Sequence, residues 1–355
     1  MEQFEQRTEV LLLQGDYASL IERHRNGKPV VEELMILLSD DELAVRVNAT
    51  GVLGAIAEVD AGAVKQAAPR VKALLSDEEP DVRRNAAWVM WLLAESDPTA
   101  ARDAVPSLVQ LLDDDLGVTR GAVSAALWVI GRSDPEAVRD AADKFKYLLN
   151  DQVALVRAAA AANMGIIAEQ DVDAVLDVVP KLLALGEDED ANVRRNTTAA
   201  LAAIARNRPD VVKEALPKLV AFLDDEDSGV RGHTISVLGV LAEAEATAVV
   251  DAIPRLTDLI DDTDYAVQAH AVTALGAIGR ANASLVVDAV PKLIAVLDDA
   301  DPYLRGASAA TVGEIGRSDR EMVKDAVPKL LKLLEDEDVY VRGAATEALQ
   351  VIRDA

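Results

Sequence analysis

The sequence contains no cysteine, which excludes disulfides, thiol nucleophiles, iron–sulfur ligation and cysteine-ligated zinc. Aromatic residues are only 3% of the 355 residues, and histidine occurs three times. No apolar stretch approaches the roughly 20 residues of a membrane helix, and the acidic N-terminus lacks the basic segment of a signal peptide. Half of the residues are nevertheless hydrophobic. We therefore expect a folded cytoplasmic protein that contacts no membrane.

Positive charge is also scarce. The 62 acidic residues outnumber the 36 basic ones and give a formal net charge of −26. Such a surface repels nucleic acid and anionic lipid. The 38 Asp, only 12 Lys and the absent Cys resemble the composition of proteins from salt-accumulating halophilic archaea. That resemblance implies a charge that keeps the chain hydrated, whereas an acidic ligand-binding surface is the alternative.

A period of 37 residues organises the chain. Asp recurs without interruption, and an Arg follows it six residues later in every unit except one, which has Gln268. A proline series keeps the same spacing, with Asp143 in one skipped place and Glu32 in the first. The Asp series is Asp40, Asp77, Asp114, Asp151, Asp188, Asp225, Asp262, Asp299 and Asp336. Nine units at a constant period indicate a tandem array.

Each unit is predicted to be a pair of antiparallel helices. In residues 288–317, Leu293, Val296 and Leu297 form one apolar stripe at helical spacing. Asp301 and Pro302 then predict an N-cap followed by proline in the first turn of a second helix. The proline of the first helix should kink that helix. Neither helix buries its stripe alone, so we expect neighbouring units to stack.

This pattern resembles the HEAT repeat, most clearly from Val327-Pro328-Lys329-Leu330 to Arg342. The resemblance covers residues 28–355 and implies an all-α fold, a right-handed α-α superhelix of nine helical hairpins in one elongated domain. Residues 1–27 fall outside the frame, and Asp16–His24 predicts a helix that caps the array. The family includes scaffolds, transport receptors, lyases and glycosylases, so it says little about function. In unit five Gly186 replaces an aliphatic residue, which suggests a softer joint.

The repeated Asp and Arg are interpreted as structural. The Asp can accept backbone N–H bonds in the turn, and the Arg can reach the Asp of an adjacent unit. A residue present in every unit serves stacking, because one ligand rarely touches all nine units.

The tryptophans give the clearest functional signal. Counting along each second helix from the repeat Arg, positions +1, +5, +8 and +12 lie opposite the apolar arc and should form a concave groove floor. Trp88 is at +5, and Trp91 and Trp128 are at +8 in neighbouring units. We predict that they bind a partner, with Arg84 and Arg132 orienting its acidic groups. Packing within the solenoid is the alternative.

The predicted floor is otherwise balanced in charge, with six basic and six acidic residues. It therefore offers no basic track for phosphates. A weaker aromatic set, Tyr265, Tyr303 and Tyr340, is interpreted as ordinary rim tyrosines.

No chemistry-bearing cluster is apparent. His233 and His270 are 37 residues apart and could suggest a metal pair, but Asn48, Asn85 and Asn196 occupy the same place in other units. A polar ladder between units explains all five. We expect no catalytic residues, no metal and no cofactor.

The sequence thus favours a non-catalytic scaffold that binds a protein or peptide in the groove. The alternatives, a DNA glycosylase or a chromophore lyase of the HEAT-like type, rest on the fold resemblance. The oligomeric state stays open.

Overall fold

The computed structural model describes residues 2–354, with side chains from residue 7 onward. Every regular element in that range is helical, which confirms the all-α prediction. None of these helices is long and apolar enough to cross a membrane. The chain forms two compact units, one up to Val175 and one from Leu176 onward.

The first unit contains repeats 1 to 4. Each repeat has a short first helix and a 17-residue second helix, and successive second helices pack side by side. The first helices are Val30–Leu37, Ala68–Leu74, Val105–Leu111 and Ala142–Leu148, and the second helices are Leu43–Val59, Pro80–Ser96, Gly117–Ser133 and Ala154–Gln170.

The second unit contains repeats 5 to 9 in the same arrangement. Its first helices are Val179–Leu185, Leu216–Phe222, Ile253–Asp258, Val290–Val296 and Val327–Leu333. Its second helices are Ala191–Asn207, Ser228–Ala244, Tyr265–Ala281, Pro302–Ser318 and Val339–Asp354. In both units the second helices begin at intervals of 37 residues, as the sequence period predicts.

The proline marks the start of a first helix. Short helical segments come before it, for example Ala61–Val64 and Lys65–Ala67 ahead of Ala68–Leu74. Pro69 then lies in the first turn, where its missing N–H leaves no helical bond unmade. The predicted kink is therefore a break between two helical segments.

Aspartate caps the second helices of the second unit. The Asp301 carboxylate accepts the backbone N–H groups of Tyr303 and Leu304 at 2.8 and 3.1 Å, and Pro302 occupies the first turn, as predicted. In repeats 1 to 4 the N-cap residues make no such side-chain bond; Glu42 is one of them.

The repeated Asp and Arg join consecutive repeats, which confirms their structural interpretation. Arg231 donates to both carboxylate oxygens of Asp262 in the next repeat, at 2.8 and 2.6 Å. Its third nitrogen donates to the Asp225 carbonyl of its own turn at 2.8 Å. The same inter-repeat pair forms at Arg46–Asp77, Arg83–Asp114, Arg120–Asp151, Arg194–Asp225 and Arg305–Asp336. Each Arg thus ties one turn to the next.

Gln268 interrupts this series. Its amide still donates to the Asp262 carbonyl at 2.5 Å, as the arginines do. Its side-chain oxygen is buried without a hydrogen bond. In the described part of the chain, no basic side chain lies within ion-pair distance of the Asp299 carboxylate, whose Oδ1 accepts the backbone N–H of Asp301.

The N-terminal residues form a helical pair, Glu2–Leu13 and Tyr17–Arg25, which packs on repeat 1. The predicted capped helix is observed, with Asp16 accepting the N–H of Ser19 at 3.2 Å. Arg23 pairs with Glu33 of the first repeat helix at 2.9 Å. The domain boundary at residues 27 and 28 stays a prediction.

Gly186 is a closely packed position and not a gap. A Cβ atom there would lie 2.2 Å from Cζ of Phe222 in the next repeat. The Phe222 ring is buried and fills the space that an aliphatic side chain occupies in other repeats. The expected softer joint is therefore filled by a compensating aromatic ring.

Candidate functional site

The solvent-facing arc of the second helices differs from the predicted one at a single position. Positions +5, +8 and +12 are half-buried or exposed in most repeats, as expected. Position +1 lies instead in the contact between helices in most repeats: a Cβ on Gly121 would lie 3.0 Å from Leu155, and one on Gly306 would lie 2.3 Å from Tyr340. Position +9, with Val240 and Glu314 as examples, is half-buried in most repeats and takes the place of position +1 on the solvent-facing arc. We call positions +5, +8, +9 and +12 the second-helix face.

Trp88 packs against the preceding repeat. A Cβ atom on Gly54 would lie 2.4 Å from two ring atoms of Trp88, so the indole covers that glycine directly. The Trp88 side chain is half-buried. Glycine at 54 is therefore required by the close approach of the ring. This contact gives Trp88 a packing role between repeats 1 and 2.

Trp91 lies one turn further along the same helix. It is half-buried, and its indole N–H donates to the Glu95 carboxylate at 3.3 Å. Glu95 is four residues later and exposed, so the bond holds the ring along the helix surface.

Trp128 occupies the position of Trp91 on the next second helix. It is half-buried, and the Arg132 guanidinium lies over the indole, 5.0 Å from the ring centroid. This cation–π contact orients the ring and leaves the exposed Arg132 beside it. Because neighbouring packed helices lie about 8–10 Å apart, Trp91 and Trp128 can face the same bound segment.

Arg84 is held near the start of its helix. It forms an ion pair with Asp81 at 2.6 Å and donates to the Asn85 side-chain oxygen at 3.2 Å. The side chain is 40% exposed. Arg84 is thus engaged within its own helix, and it does not contact the tryptophans in any bond that the structure shows.

The polar residues at position +2 bond to the preceding helix. Asn48 and Asn85 donate to the carbonyls of Leu12 and Val47, each at 3.0 Å. His233 Nδ1 lies 3.2 Å from the Arg195 carbonyl. Burial lowers the pKa of His233. At these positions the predicted polar ladder is observed, and among residues with described side chains no group of three or more His, Asp or Glu could hold a metal ion.

In the second unit the second-helix face has a shallow pocket at repeat 6, where glycine replaces the tryptophan found at position +8 in repeats 2 and 3. A pocket of about 220 Å³ lies between repeats 6 and 7, and it includes Gly239 at position +8 and the exposed His270. At its edge Glu243 pairs with Arg280 of the next repeat at 3.1 Å. These two position +12 side chains therefore neutralise each other across repeats 6 and 7.

Two of the rim tyrosines contact each other. The rings of Tyr303 and Tyr340 stack with centroids 5.8 Å apart and planes 17° from parallel. Tyr340 also covers Gly306. These contacts join repeats 8 and 9, whereas the side chain of Tyr265 is 66% exposed.

Comparison with known proteins agrees with this architecture. The family model of HEAT repeats matches residues 31–128, 67–165, 179–252, 216–289 and 290–355. A crystal structure of an engineered protein from the Northeast Structural Genomics Consortium is 26% identical, covers 99% of this chain and 95% of its own, and gives a TM-score of 0.82. A second engineered protein from that consortium is 27% identical over 60% of this chain and 96% of its own, with a TM-score of 0.52. No curated protein matches the chain. The family match spans most of the sequence, and the chain therefore belongs to the HEAT-repeat family.

Proposed function

We propose that the protein is a non-catalytic scaffold that binds a protein or peptide segment on the second-helix face of repeats 2 and 3. The observation that carries this proposal is the pair Trp91 and Trp128. They occupy the same repeat position on adjacent helices, and each is only half-buried. Trp88, by contrast, already has a packing partner in Gly54.

Tryptophan is suited to this role because it supplies a large apolar area that a partner can cover. Partly exposed aromatic clusters are typical interface hot spots. Both rings are oriented before binding, Trp91 by Glu95 and Trp128 by Arg132. Less side-chain entropy is then lost when a partner binds.

The charges beside the rings suggest what the partner carries. Glu95 and Arg132 occupy position +12 of successive helices, so an acid and a base stand next to each other on the face. A segment with one basic and one acidic side chain around an apolar residue would match both. We propose Arg132 as the group that meets the acidic side chain. Arg84, near the helix start, would have to exchange its ion pair with Asp81 for the partner's acid to do the same.

The net charge of −26 fits the same proposal without defining the partner. We propose that it is a solvation adaptation to high salt in the cytoplasm.

The test is a selection of peptides from a display library on the immobilised chain. Binding of a selected peptide is then compared between the wild type, W91A, W128A and Y147A. Tyr147 is the matched control because it is an aromatic residue, 75% exposed, on a first helix. We expect each Trp change to weaken binding about 30-fold or more, the effect of a hot spot of about 2 kcal/mol, while Y147A leaves it unchanged.

Circular dichroism and thermal unfolding should confirm that W91A and W128A remain folded. Peptides whose affinity is the same for folded W91A, W128A and wild type would contradict the proposal.

A further inference from the structure

A second series of inter-repeat contacts runs along the first helices. The residue after each repeat proline is basic in most repeats, and it reaches back to the preceding repeat. Lys292 donates to the Thr257 carbonyl at 2.8 Å and pairs with Asp261 at 2.8 Å. Lys329 does the same with the Ile294 carbonyl at 2.9 Å and Asp298 at 2.8 Å.

Three other junctions within the two units follow this pattern in whole or in part. Lys218 bonds the Leu183 carbonyl and Glu187, Lys144 pairs with Asp113, and Arg255 pairs with Asp224. At the junction of repeats 1 and 2, Arg70 donates to the Met35 carbonyl, although Ser39 replaces the acidic residue found at the other junctions. A basic group therefore occupies this carbonyl position even without a carboxylate.

The junction between repeats 2 and 3 lacks both partners. Ser107 stands in the basic position and Ser76 in the acidic one. A pocket of about 440 Å³ opens there, lined by Lys72 and Ala73 on one side, Ala104 and Ser107 on the other, and the buried Met90. Lys72 is the residue equivalent to Thr257 and Ile294, whose carbonyls receive a lysine elsewhere.

We propose that this pocket binds the side chain of a lysine from a protein partner. The ammonium would take the place beside the Lys72 carbonyl that the chain's own Lys or Arg fills at other junctions, and the methylenes would cover Met90 and the alanines. The carbonyl is bonded once, to the N–H of Leu75 at 3.2 Å, so a lone pair is left to accept. The two charged residues of the lining, Lys72 and Asp103, offset each other.

This inference is independent of the proposed function, because the pocket lining contains none of the tryptophans. The probe is n-butylammonium chloride, whose four-carbon chain and ammonium group match the lysine side chain in length and charge. Amide NMR resonances of residues 72–76 and 100–107 are followed during the titration, with n-butanol as the neutral control and sodium chloride as the ionic-strength control.

We expect butylammonium, and not butanol, to shift the resonances of Ala73, Ala104 and Ser107. S107K should abolish the response because its own side chain fills the pocket, whereas S107A keeps the pocket and the response. S76D restores the acid of other junctions and should tighten binding about twofold to fivefold, as expected for an exposed ion pair. W91A/W128A should bind the probe as the wild type does.

Equal shifts with butanol, or an unchanged response in S107K, would overturn the proposal. A lysine within a short peptide should bind at least as tightly as butylammonium. If butylammonium binds and the lysine peptide does not, the pocket binds small amines, and the proposal of a lysine from a protein partner is wrong.

Discussion

Replacing Gly186 by leucine should destabilise the second unit unless Phe222 is replaced at the same time. The backbone at Gly186 has φ −62°, so conformation does not require glycine there. The obstacle is the Phe222 ring, 2.2 Å from where a Cβ would stand. Other junctions carry two aliphatic residues at these places, for example Leu223 with Leu259. The double variant G186L/F222L therefore recreates a pair that the chain already uses.

The magnitudes follow from packing. Overpacking by G186L costs about 1–3 kcal/mol. Up to about 1 kcal/mol of that is regained, because the backbone at this C-cap is already right-handed helical and leucine loses less conformational entropy on folding than glycine. F222L leaves part of a cavity and should cost about 1–2 kcal/mol. In the double variant the two changes compensate, with a coupling free energy of about 1–3 kcal/mol.

The assay is a double-mutant cycle by guanidinium denaturation. Because long repeat arrays can depart from two-state unfolding, hydrogen exchange in helices Val179–Leu185 and Leu216–Phe222 locates the change. A double variant as unstable as the sum of the two single variants would refute the reasoning.

Three further predictions concern charge. Q268R should supply the missing partner of Asp299 and raise the free energy of unfolding by about 1–2 kcal/mol, measured by denaturation; no gain would show that Gln268 is already optimal. The hydrogen bond from Arg305 lowers the pKa of Asp336 below its ordinary value. The stabilisation that this pair gives is therefore complete above pH about 4 and is lost as the pH falls through the lowered pKa. R305Q should be less stable than the wild type at pH 6, and this difference in the free energy of unfolding should shrink in denaturation curves taken down to pH 2; a difference that does not change with pH would count against the pair. Stability should rise from low salt toward molar sodium chloride because ions screen the −26 charge, and a melting temperature that falls with salt would contradict the solvation interpretation.

The periodic parts of the fold were predictable from the sequence. The Asp and Arg series recur at a constant spacing, and the same geometry forms at six junctions within the two units, so this inter-repeat bond was predictable from the chemistry of the two side chains. The cap at Asp301 was predictable from local chemistry, because aspartate is favoured at the N-cap of a helix and proline in the first turn that follows it.

Features that depend on two different repeats were harder to predict. Gly186 appeared weak by itself, and the compensation becomes visible only when Phe222 is compared with the same place in other repeats. An ideal helical wheel places position +1 on the open face, because it ignores how closely small residues such as Gly306 let the next helix approach. The 37-residue frame does contain the signal for the pocket at Ser107, a serine where most other repeats carry lysine or arginine, but it does not show that a cavity forms there.

The role of the three tryptophans as a binding site stays a prediction. Helical spacing placed Trp88, Trp91 and Trp128 on one face. It could not show that Trp88 packs on Gly54 while Trp91 and Trp128 keep open edges, because that depends on the approach of the preceding helix.

The most direct test of the binding proposal uses the three tryptophans as their own reporters. Labelling with 5-fluorotryptophan gives three fluorine resonances, which W88F, W91F and W128F assign. Addition of a peptide selected on the chain should shift the resonances of Trp91 and Trp128 and leave that of Trp88 nearly unchanged. Saturation with the peptide while the Trp91 and Trp128 resonances stay in place would contradict binding on the second-helix face.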